Sequence, residues 1–235
     1  MKPHARIGLG IGLVILALAA RLIPGPRTID DSFITYRYAR NLLAGEGFVY
    51  NPGERVQGTT TPVYTLLMAG LGALSGGTQA PFPWLALGVN ALADAATALL
   101  LVRLGRHAGA RWAGWAAGLV WAVAPYSVTF AIGGLETSLY VLLLTGAVCA
   151  YVEQRRVWTA LLGALAILTR PDALILALPL GLDRLWRALR KGERLGWGEV
   201  LALVLPGAAW GLFATLYFGS PIPHSVQAKL EVYRL

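Results

Sequence analysis

Charged residues, cysteine and histidine are scarce in this 235-residue sequence. Charged residues make up 14% of the chain, whereas a soluble domain contains about 25%. The single cysteine, Cys149, lies within an apolar stretch, which excludes a disulfide framework and a cysteine-ligated metal site. The three histidines are far apart in different polar segments and form no metal-binding cluster. These absences argue against an ordinary soluble enzyme and against a metal–thiolate protein.

Apolar residues are abundant instead, at 56% of the chain with a mean hydropathy of +0.59. They occur in blocks of about 12–22 residues between short polar segments, a pattern typical of polytopic α-helical membrane proteins. The first block follows a basic N-terminus, as in a signal peptide, but Pro-Gly-Pro stands where a small-residue cleavage site would be, so we predict an uncleaved span. The predicted spans cover residues 7–23, 84–102, 112–130, 135–151, 158–169, 173–182 and 198–218.

The basic residues predict the orientation of these spans. The net charge is +8, from 20 Lys and Arg against 12 Asp and Glu, and we interpret this surplus as a topology signal, with no nucleic-acid partner. If the apolar block 59–75 lies in the interface without crossing, 12 Lys and Arg face the cytoplasm, in the N-terminus and in loops 103–111, 152–156 and 184–194. If that block crosses, the three loops move outside and violate the positive-inside rule. We therefore predict an all-α bundle of seven spans with a cytoplasmic N-terminus.

In this topology residues 24–76 form a long first outer loop, and residues 219–235 begin a second one. The first loop contains the sequence DDSFITYRYARNLL, followed by Ala-Gly-Glu-Gly. Its apolar residues recur at helical spacing and the glycines end the pattern, which predicts a short helix on the membrane surface. The predicted apolar stripe consists of Ile34, Tyr38 and Leu42.

Asp30 and Asp31 begin this interfacial helix. One Asp is a good helix N-cap, but a second adjacent carboxylate repels the first, so a catalytic or cation-binding role is an equal alternative. A carboxylate at the membrane surface suits the removal of a proton from a hydroxyl nucleophile, and nearby arginines can keep it ionised. Arg37 and Arg40 lie on another face of the helix and are candidates for substrate binding. The pair could also hold a divalent cation, although no further ligand cluster accompanies it.

A lipid-phosphate leaving group would need cationic partners on the same side of the membrane. Arg170 is one candidate, because an arginine between two apolar blocks is costly and indicates function. Asp172, two residues later, is a further candidate for substrate binding. The alternative is a structural ion pair between Arg170 and Asp172. The tail adds His224 and Lys229, of which Lys229 is otherwise an ordinary solvated lysine. Glu136, where the fourth span begins, is either a helix N-terminal charge or part of the site.

Other polar and small residues have structural interpretations. Asn90 and Asp94 lie within the second span, and we predict that they form a buried polar network between helices. Glycines at GxxxG spacing predict close helix packing. These pairs are Gly8 with Gly12 and Gly114 with Gly118.

Four segments together carry a resemblance to a known family. In order they read DDSFITYRYARNLLAGEGFVYNPGERVQGTTTPVYTLL, GGLETSLYVLLL, LTRPDALIL and FGSPIPHSVQAKL. They resemble GT-C superfamily membrane glycosyltransferases, and are most similar to bacterial proteins related to mycobacterial terminal β-arabinofuranosyltransferase. The resemblance covers most of the chain from Ile29 onward.

The resemblance implies a seven-span module of the bacterial cytoplasmic membrane, with interfacial helices in the first outer loop and the active site on the outer face. It implies a polyprenyl-phosphate-linked sugar donor, a glycan, lipid or protein acceptor, and Asp31 or Asp30 as the catalytic base. Enzymes of this family continue beyond the seventh span. We therefore expect residues 1–235 to be a single N-terminal core or minimal module, with the C-terminal part absent or supplied by a separate chain.

Two alternatives stay open. A GT-C-derived scaffold without activity would share the same motifs, and a transporter component would explain ionisable residues within spans, although no internal repeat is present. The identities of the sugar and the acceptor, the stereochemical outcome and the metal dependence are not determined by the sequence.

Overall fold

The computed structural model describes residues 3–226, and within this range the chain is helical without strands. The all-α prediction is thus confirmed. Two short 3₁₀ turns, Gly77–Gln79 and Pro171–Ala173, precede α4 and α9. The ten α-helices of the described range are α1 Pro3–Leu22, α2 Asp30–Leu43, α3 Pro62–Leu74, α4 Phe82–His107, α5 Arg111–Val123, α6 Pro125–Ile132, α7 Thr137–Val152, α8 Arg156–Thr169, α9 Leu174–Lys191 and α10 Trp197–Phe218.

Helix α4 is central and packs against α1, α5 and α7, while α8 packs between α7 and α10. The α4–α5 crossing depends on small residues, since a Cβ on Gly105 would lie 2.4 Å from Cα of Gly114. The packing role predicted for Gly114 and Gly118 is therefore confirmed. The same prediction for Gly8 and Gly12 is wrong within the described residues, because nothing lies within 4 Å of a Cβ built on either.

Three helices, α1, α4 and α10, are long and apolar enough to cross a membrane, and the bent pair of α5 and α6 brings the number in residues 3–226 to four. Helices α3, α7 and α8 are apolar but only 13 to 16 residues long, whereas a full crossing takes about 20. The chain is thus a helical membrane bundle. Seven crossings and the orientation of the bundle stay predictions.

The predicted span 112–130 is broken into two helices, which meet at an angle of 46°. Pro125 causes the break, because it lacks an N–H group and forces the preceding Ala124 into an extended conformation (ψ 131°). The break frees the carbonyl of Trp121, which accepts a hydrogen bond from Ser127 Oγ at 2.6 Å. It also accepts one from the Arg21 guanidinium at 3.2 Å. Neighbouring side chains thus satisfy the backbone that the kink exposes.

Arg21 also forms a buried ion pair in the middle of the bundle. Its Nε lies 2.7 Å from Asp94 Oδ2, and both side chains are fully inaccessible to solvent. Asp94 further accepts hydrogen bonds from Trp121 Nε1 and Ser138 Oγ, both at 3.1 Å. The network predicted around Asp94 is confirmed, and Arg21 extends it to α1, α4, α5 and α7.

Helix α9 is longer than the predicted span 173–182. It continues through Lys191, so most of the loop expected at residues 184–194 is helical. Its second half carries Asp183, Arg184 and Arg187, and these charges keep α9 from being apolar enough to count as a span. Hydropathy predicts the end of this span just before Asp183, the first charged residue. The helix continues beyond it because charged side chains of its second half form ion pairs or hydrogen bonds with other helices. Arg184 Nε, for example, lies 2.5 Å from Glu199 Oε1 of α10.

Cysteine labelling tests the predicted orientation. In a Cys149→Ala background, His107→Cys and Arg190→Cys should resist a membrane-impermeant maleimide added to intact cells and react only after lysis. Glu54→Cys, in the exposed first loop, should react in intact cells and serves as the control. Ready labelling of both His107→Cys and Arg190→Cys from outside would show that the 59–75 block crosses the membrane.

Candidate functional site

A helix is present where the interfacial helix is predicted. It is α2, Asp30–Leu43, and Gly45 follows its end with a φ of +81°. Its place at the membrane surface stays a prediction. The predicted apolar stripe is only partly correct. Tyr38 is fully buried, whereas Ile34 is exposed. Ile34 points away because the helix packs through a neighbouring face against α3 and the loops around it. The buried residues of that face are Ser32, Thr35, Tyr36, Tyr38 and Ala39.

Asp30 and Asp31 occupy the first turn of α2, and both are exposed. Neither is the N-cap, because Ile29 holds that position without a side-chain capping bond. The capping interpretation of the pair is therefore wrong. Within residues 3–226 neither carboxylate has a hydrogen-bond or ion-pair partner, and both lie at the positive end of the helix dipole.

The start of α2 contacts the GGLE segment between α6 and α7. The Ile29 N–H donates to the Gly133 carbonyl at 3.0 Å, and the Tyr36 hydroxyl donates to the Gly134 carbonyl at 3.2 Å. Gly134 has a φ of +81°, and a Cβ there would lie 2.2 Å from the Tyr36 hydroxyl oxygen, so only glycine fits. Burial raises the pKa of Tyr36 to about 12, so its hydroxyl stays a donor at neutral pH.

Helices α3 and α4 also form hydrogen bonds with the GGLE segment and its flanking residues. The Tyr64 hydroxyl of α3 donates to the Gly134 carbonyl at 3.2 Å. The Asn90 amide of α4 donates to the carbonyls of Ala131 and Leu135, at 3.1 and 2.9 Å. Asn90 thus fulfils the structural role predicted for it, and the loop that carries Glu136 is fixed from three sides.

Glu136 and the TRPD segment form a charged cluster next to this loop. Arg170 Nη1 lies 3.0 Å from Glu136 Oε1, and Arg170 Nε lies 3.1 Å from Asp172 Oδ1. The Glu136 side chain is 9% exposed, against 38% for Arg170 and 47% for Asp172. Glu136 lies just before α7 and is the most buried member of the cluster. The structural alternative, an Arg170–Asp172 ion pair, is therefore present, and it includes Glu136.

His224, after α10, contacts the first loop at Gln57. The backbone N–H of Gln57 donates to the ring nitrogen Nδ1 of His224 at 3.2 Å, and the backbone N–H of His224 donates to the Gln57 carbonyl at 3.0 Å. The loop is held nearby by the Tyr38 hydroxyl, which donates to the Val56 carbonyl at 2.7 Å. No contact in the described range joins His224 to Arg170. Lys229 lies outside the described residues.

The two arginines of α2 stabilise loops and do not pair with the Asp residues. Arg37 Nε donates to the Tyr50 carbonyl at 2.8 Å, and its guanidinium lies 4.7 Å from the Tyr50 ring centroid. Arg40 Nε donates to the Thr78 carbonyl at 3.2 Å. Their predicted contact with a substrate stays a prediction. The idea that they keep the aspartates ionised finds no ion pair to support it in residues 3–226.

A metal site has limited support in the described range, where no group of three or more His, Cys, Asp or Glu residues is arranged to hold an ion. Asp30 and Asp31 offer two adjacent carboxylates and would need other ligands to complete a coordination shell.

Sequence reasoning missed Arg21, Tyr36, Tyr64 and Gln57. Arg21 lies within the predicted first span, and a lone arginine near the end of a span is itself a signal for a buried partner. Gln57 is 1% exposed, and neither side-chain polar atom has a hydrogen-bond partner in the described structure. No sequence pattern distinguishes it from a loop glutamine.

The four segments that carried the resemblance therefore meet at one end of the bundle. The Tyr36 and Tyr64 hydroxyls join the first segment to GGLE. The Glu136–Arg170 pair joins GGLE to TRPD, and the Gln57–His224 contacts join the tail to the first segment. This end contains the exposed Asp pair, a buried carboxylate and one arginine between two acids. The arrangement can accept a proton and bind an anion, which are two separate chemical tasks.

Comparison with known proteins supports the resemblance. The chain is 31% identical over 222 residues to the terminal β-(1→2)-arabinofuranosyltransferase of Mycobacterium tuberculosis. The match covers 85% of this chain and 34% of the relative, so the chain spans about a third of that enzyme's length. No family model and no solved structure matches the chain. Over most of its own length the chain is thus similar to a mycobacterial terminal arabinofuranosyltransferase, in agreement with the resemblance of its four motifs.

Proposed function

We propose that this chain forms the catalytic core of a membrane glycosyltransferase. It transfers a sugar from a polyprenyl-phosphate donor to a cell-envelope glycan, lipid or protein on the outer face of the bacterial inner membrane. The observation that supports the proposal is the convergence of the four motifs. The segment that begins with the exposed Asp pair is hydrogen-bonded to the GGLE segment, and Glu136 of that segment pairs with Arg170. The relationship to an arabinofuranosyltransferase supports the same reaction class.

Asp31, with Asp30 as the alternative, is the proposed general base. As the acceptor oxygen attacks the anomeric carbon, its proton passes to the carboxylate, and the bond between that carbon and the phosphate oxygen breaks. The lipid phosphate leaves with the bonding electron pair. The exposed position of both carboxylates at the start of α2 leaves them accessible to an acceptor at the membrane surface.

Arg170 is the proposed partner of the donor phosphate. Its two acidic neighbours differ in exposure, so a phosphate can replace the half-exposed Asp172 while the buried Glu136 keeps the guanidinium in position. His224 and Lys229 stay further candidates on the tail, although the described contacts place His224 against Gln57.

The lipid part of the donor has a candidate path. An apolar cavity of about 450 Å³ lies among α7, α8, α9 and α10. Ile167 and Leu174, each two residues from the TRPD segment, line one part of it, and Tyr151 and Arg184 line another. In the proposed arrangement a polyprenyl chain lies in this cavity and leaves it beside Ile167 and Leu174, and its phosphate reaches Arg170 between them in the sequence.

Replacing Arg170 tests the donor site. Arg170→Gln should raise the KM for the polyprenyl-phosphate sugar roughly 10- to 100-fold, because a hydrogen bond to a charged group is lost. The assay follows transfer of a radiolabelled sugar in membranes that contain the natural protein. Arg194→Gln, an exposed arginine away from the cluster, is the matched control. An unchanged KM with a reduced kcat would instead make Arg170 a positioning residue for Glu136.

The broken α5–α6 helix and the buried Arg21–Asp94 pair also favour a second candidate, a transporter component, since both features are typical of transporters. A GT-C-derived scaffold is the third. Donor-dependent sugar transfer by the purified protein distinguishes the enzyme from both, because neither alternative forms a glycosidic bond.

A further inference from the structure

A second groove lies at the opposite end of the bundle from the Asp pair. It has a volume of about 440 Å³ and lies between the first part of α1, the end of α4 and the start of α5. The close α4–α5 crossing at Gly105 and Gly114 brings the ends of these two helices together. The polar and aromatic residues that line the groove are Arg6, Arg103, Arg106, Arg111, Trp112 and Trp115.

The groove carries positive charge that the described protein does not neutralise. Arg103 is paired with both carboxylate oxygens of Glu153. Arg6, Arg106 and Arg111 are exposed and have no hydrogen-bond or ion-pair partner in residues 3–226, and no acidic residue lines the groove. Three like charges around one concave surface repel one another, so an anion bound between them is favoured.

The wall of the groove is apolar and suits an acyl chain. Leu99 of α4 is 40% exposed and Trp112 of α5 is 80% exposed, which leaves large hydrophobic surfaces beside the arginines. Gly10 of α1 keeps the wall open, since a Cβ there would meet only Leu99 Cδ2, at 4.0 Å. Tryptophan and arginine at a helix end are typical of the headgroup level of a membrane.

We propose that this groove binds an anionic phospholipid, with the phosphate between Arg106, Arg111 and Arg6 and an acyl chain along Gly10 and Leu99. Charge complementarity selects an anionic headgroup, and the apolar wall selects a lipid over a free anion. Basic pockets between membrane helices on the cytoplasmic side bind such headgroups, and the predicted topology places this end in the cytoplasm.

The test is a lipid titration of the detergent-solubilised full chain, read by native mass spectrometry. Arg106→Gln/Arg111→Gln should weaken phosphatidylglycerol binding roughly 10- to 30-fold. The control Arg190→Gln/Arg194→Gln removes two exposed arginines outside the groove and should leave it unchanged. Binding of phosphatidylcholine should be equally weak for all proteins.

A second variant tests the apolar wall without a change in charge. Gly10→Leu should weaken phosphatidylglycerol binding roughly fourfold for each lipid methylene that it displaces, and it lies far from the Asp pair. The proposal would be overturned if Arg106→Gln/Arg111→Gln and Arg190→Gln/Arg194→Gln lost phosphatidylglycerol binding equally, or if neither lost any. Inorganic phosphate that competes as well as phosphatidylglycerol at equal concentration would also overturn it, in favour of a simple anion site.

Discussion

Asp31→Asn is expected to lower the rate of sugar transfer roughly 10²- to 10⁴-fold, the usual contribution of a general base. The asparagine keeps the size of the side chain, and Asp31 is exposed without a partner in the described range, so the fold and donor binding should be preserved. The measurement compares kcat for sugar transfer from a polyprenyl-phosphate donor in membranes that contain either the variant or the natural protein.

Substitutions of two other carboxylates in the first loop show whether the effect is specific to Asp31. Asp30→Asn should have a smaller effect if Asp30 only orients the base or binds a cation. Glu46→Gln, an exposed carboxylate in the same loop, is the matched control and should retain full activity. If Asp31→Asn and Asp30→Asn each retain more than about half of the activity, the base lies elsewhere. Glu136 is then the next candidate, because it is the carboxylate that the Arg170 guanidinium holds in place next to the GGLE loop.

The second large effect is expected at the buried ion pair. Asp94→Leu leaves the Arg21 guanidinium without its carboxylate in a site closed to solvent, and loss of one partner of a buried pair costs about 3–5 kcal/mol of folding free energy. Arg21→Met should cost a similar amount. It also removes the guanidinium donor from the Ala122 carbonyl, whereas the Trp121 carbonyl keeps its hydrogen bond from Ser127. Thermal unfolding in detergent measures both effects.

The double variant separates the pair from its surroundings. Arg21→Met/Asp94→Leu should be clearly more stable than the sum of the two single losses predicts, because no charge stays buried alone. Arg190→Met, at an exposed position on α9, should leave stability nearly unchanged. Additive losses in the double variant would show that the two residues act independently, and the ion pair would then not be the source of the effect.

The sequence was most informative where one local pattern decides one local structure. The bounds of α2 follow from helical spacing and the glycines after it, and the membrane class follows from composition. The family resemblance was also readable, because four ordered motifs are specific even when each alone is weak. Pairing across the chain was less accessible. Asp94 was assigned to a buried network, but its partner Arg21 lies 73 residues away within an apolar block.

The sequence by itself determined the membrane class and the presence of a helix at α2, because both depend on composition or on neighbouring residues. Tertiary structure decided three features: the kink at Pro125, the length of α9 and the pairing of the buried charges. The kink at Pro125 is tolerated because Arg21 and Ser127 bond the freed Trp121 carbonyl, and α9 continues past its first charge because Arg184 pairs with Glu199. Charges and free carbonyls within a membrane bundle are stable only when a partner from another helix reaches them, and that partner is set by packing over long sequence distances.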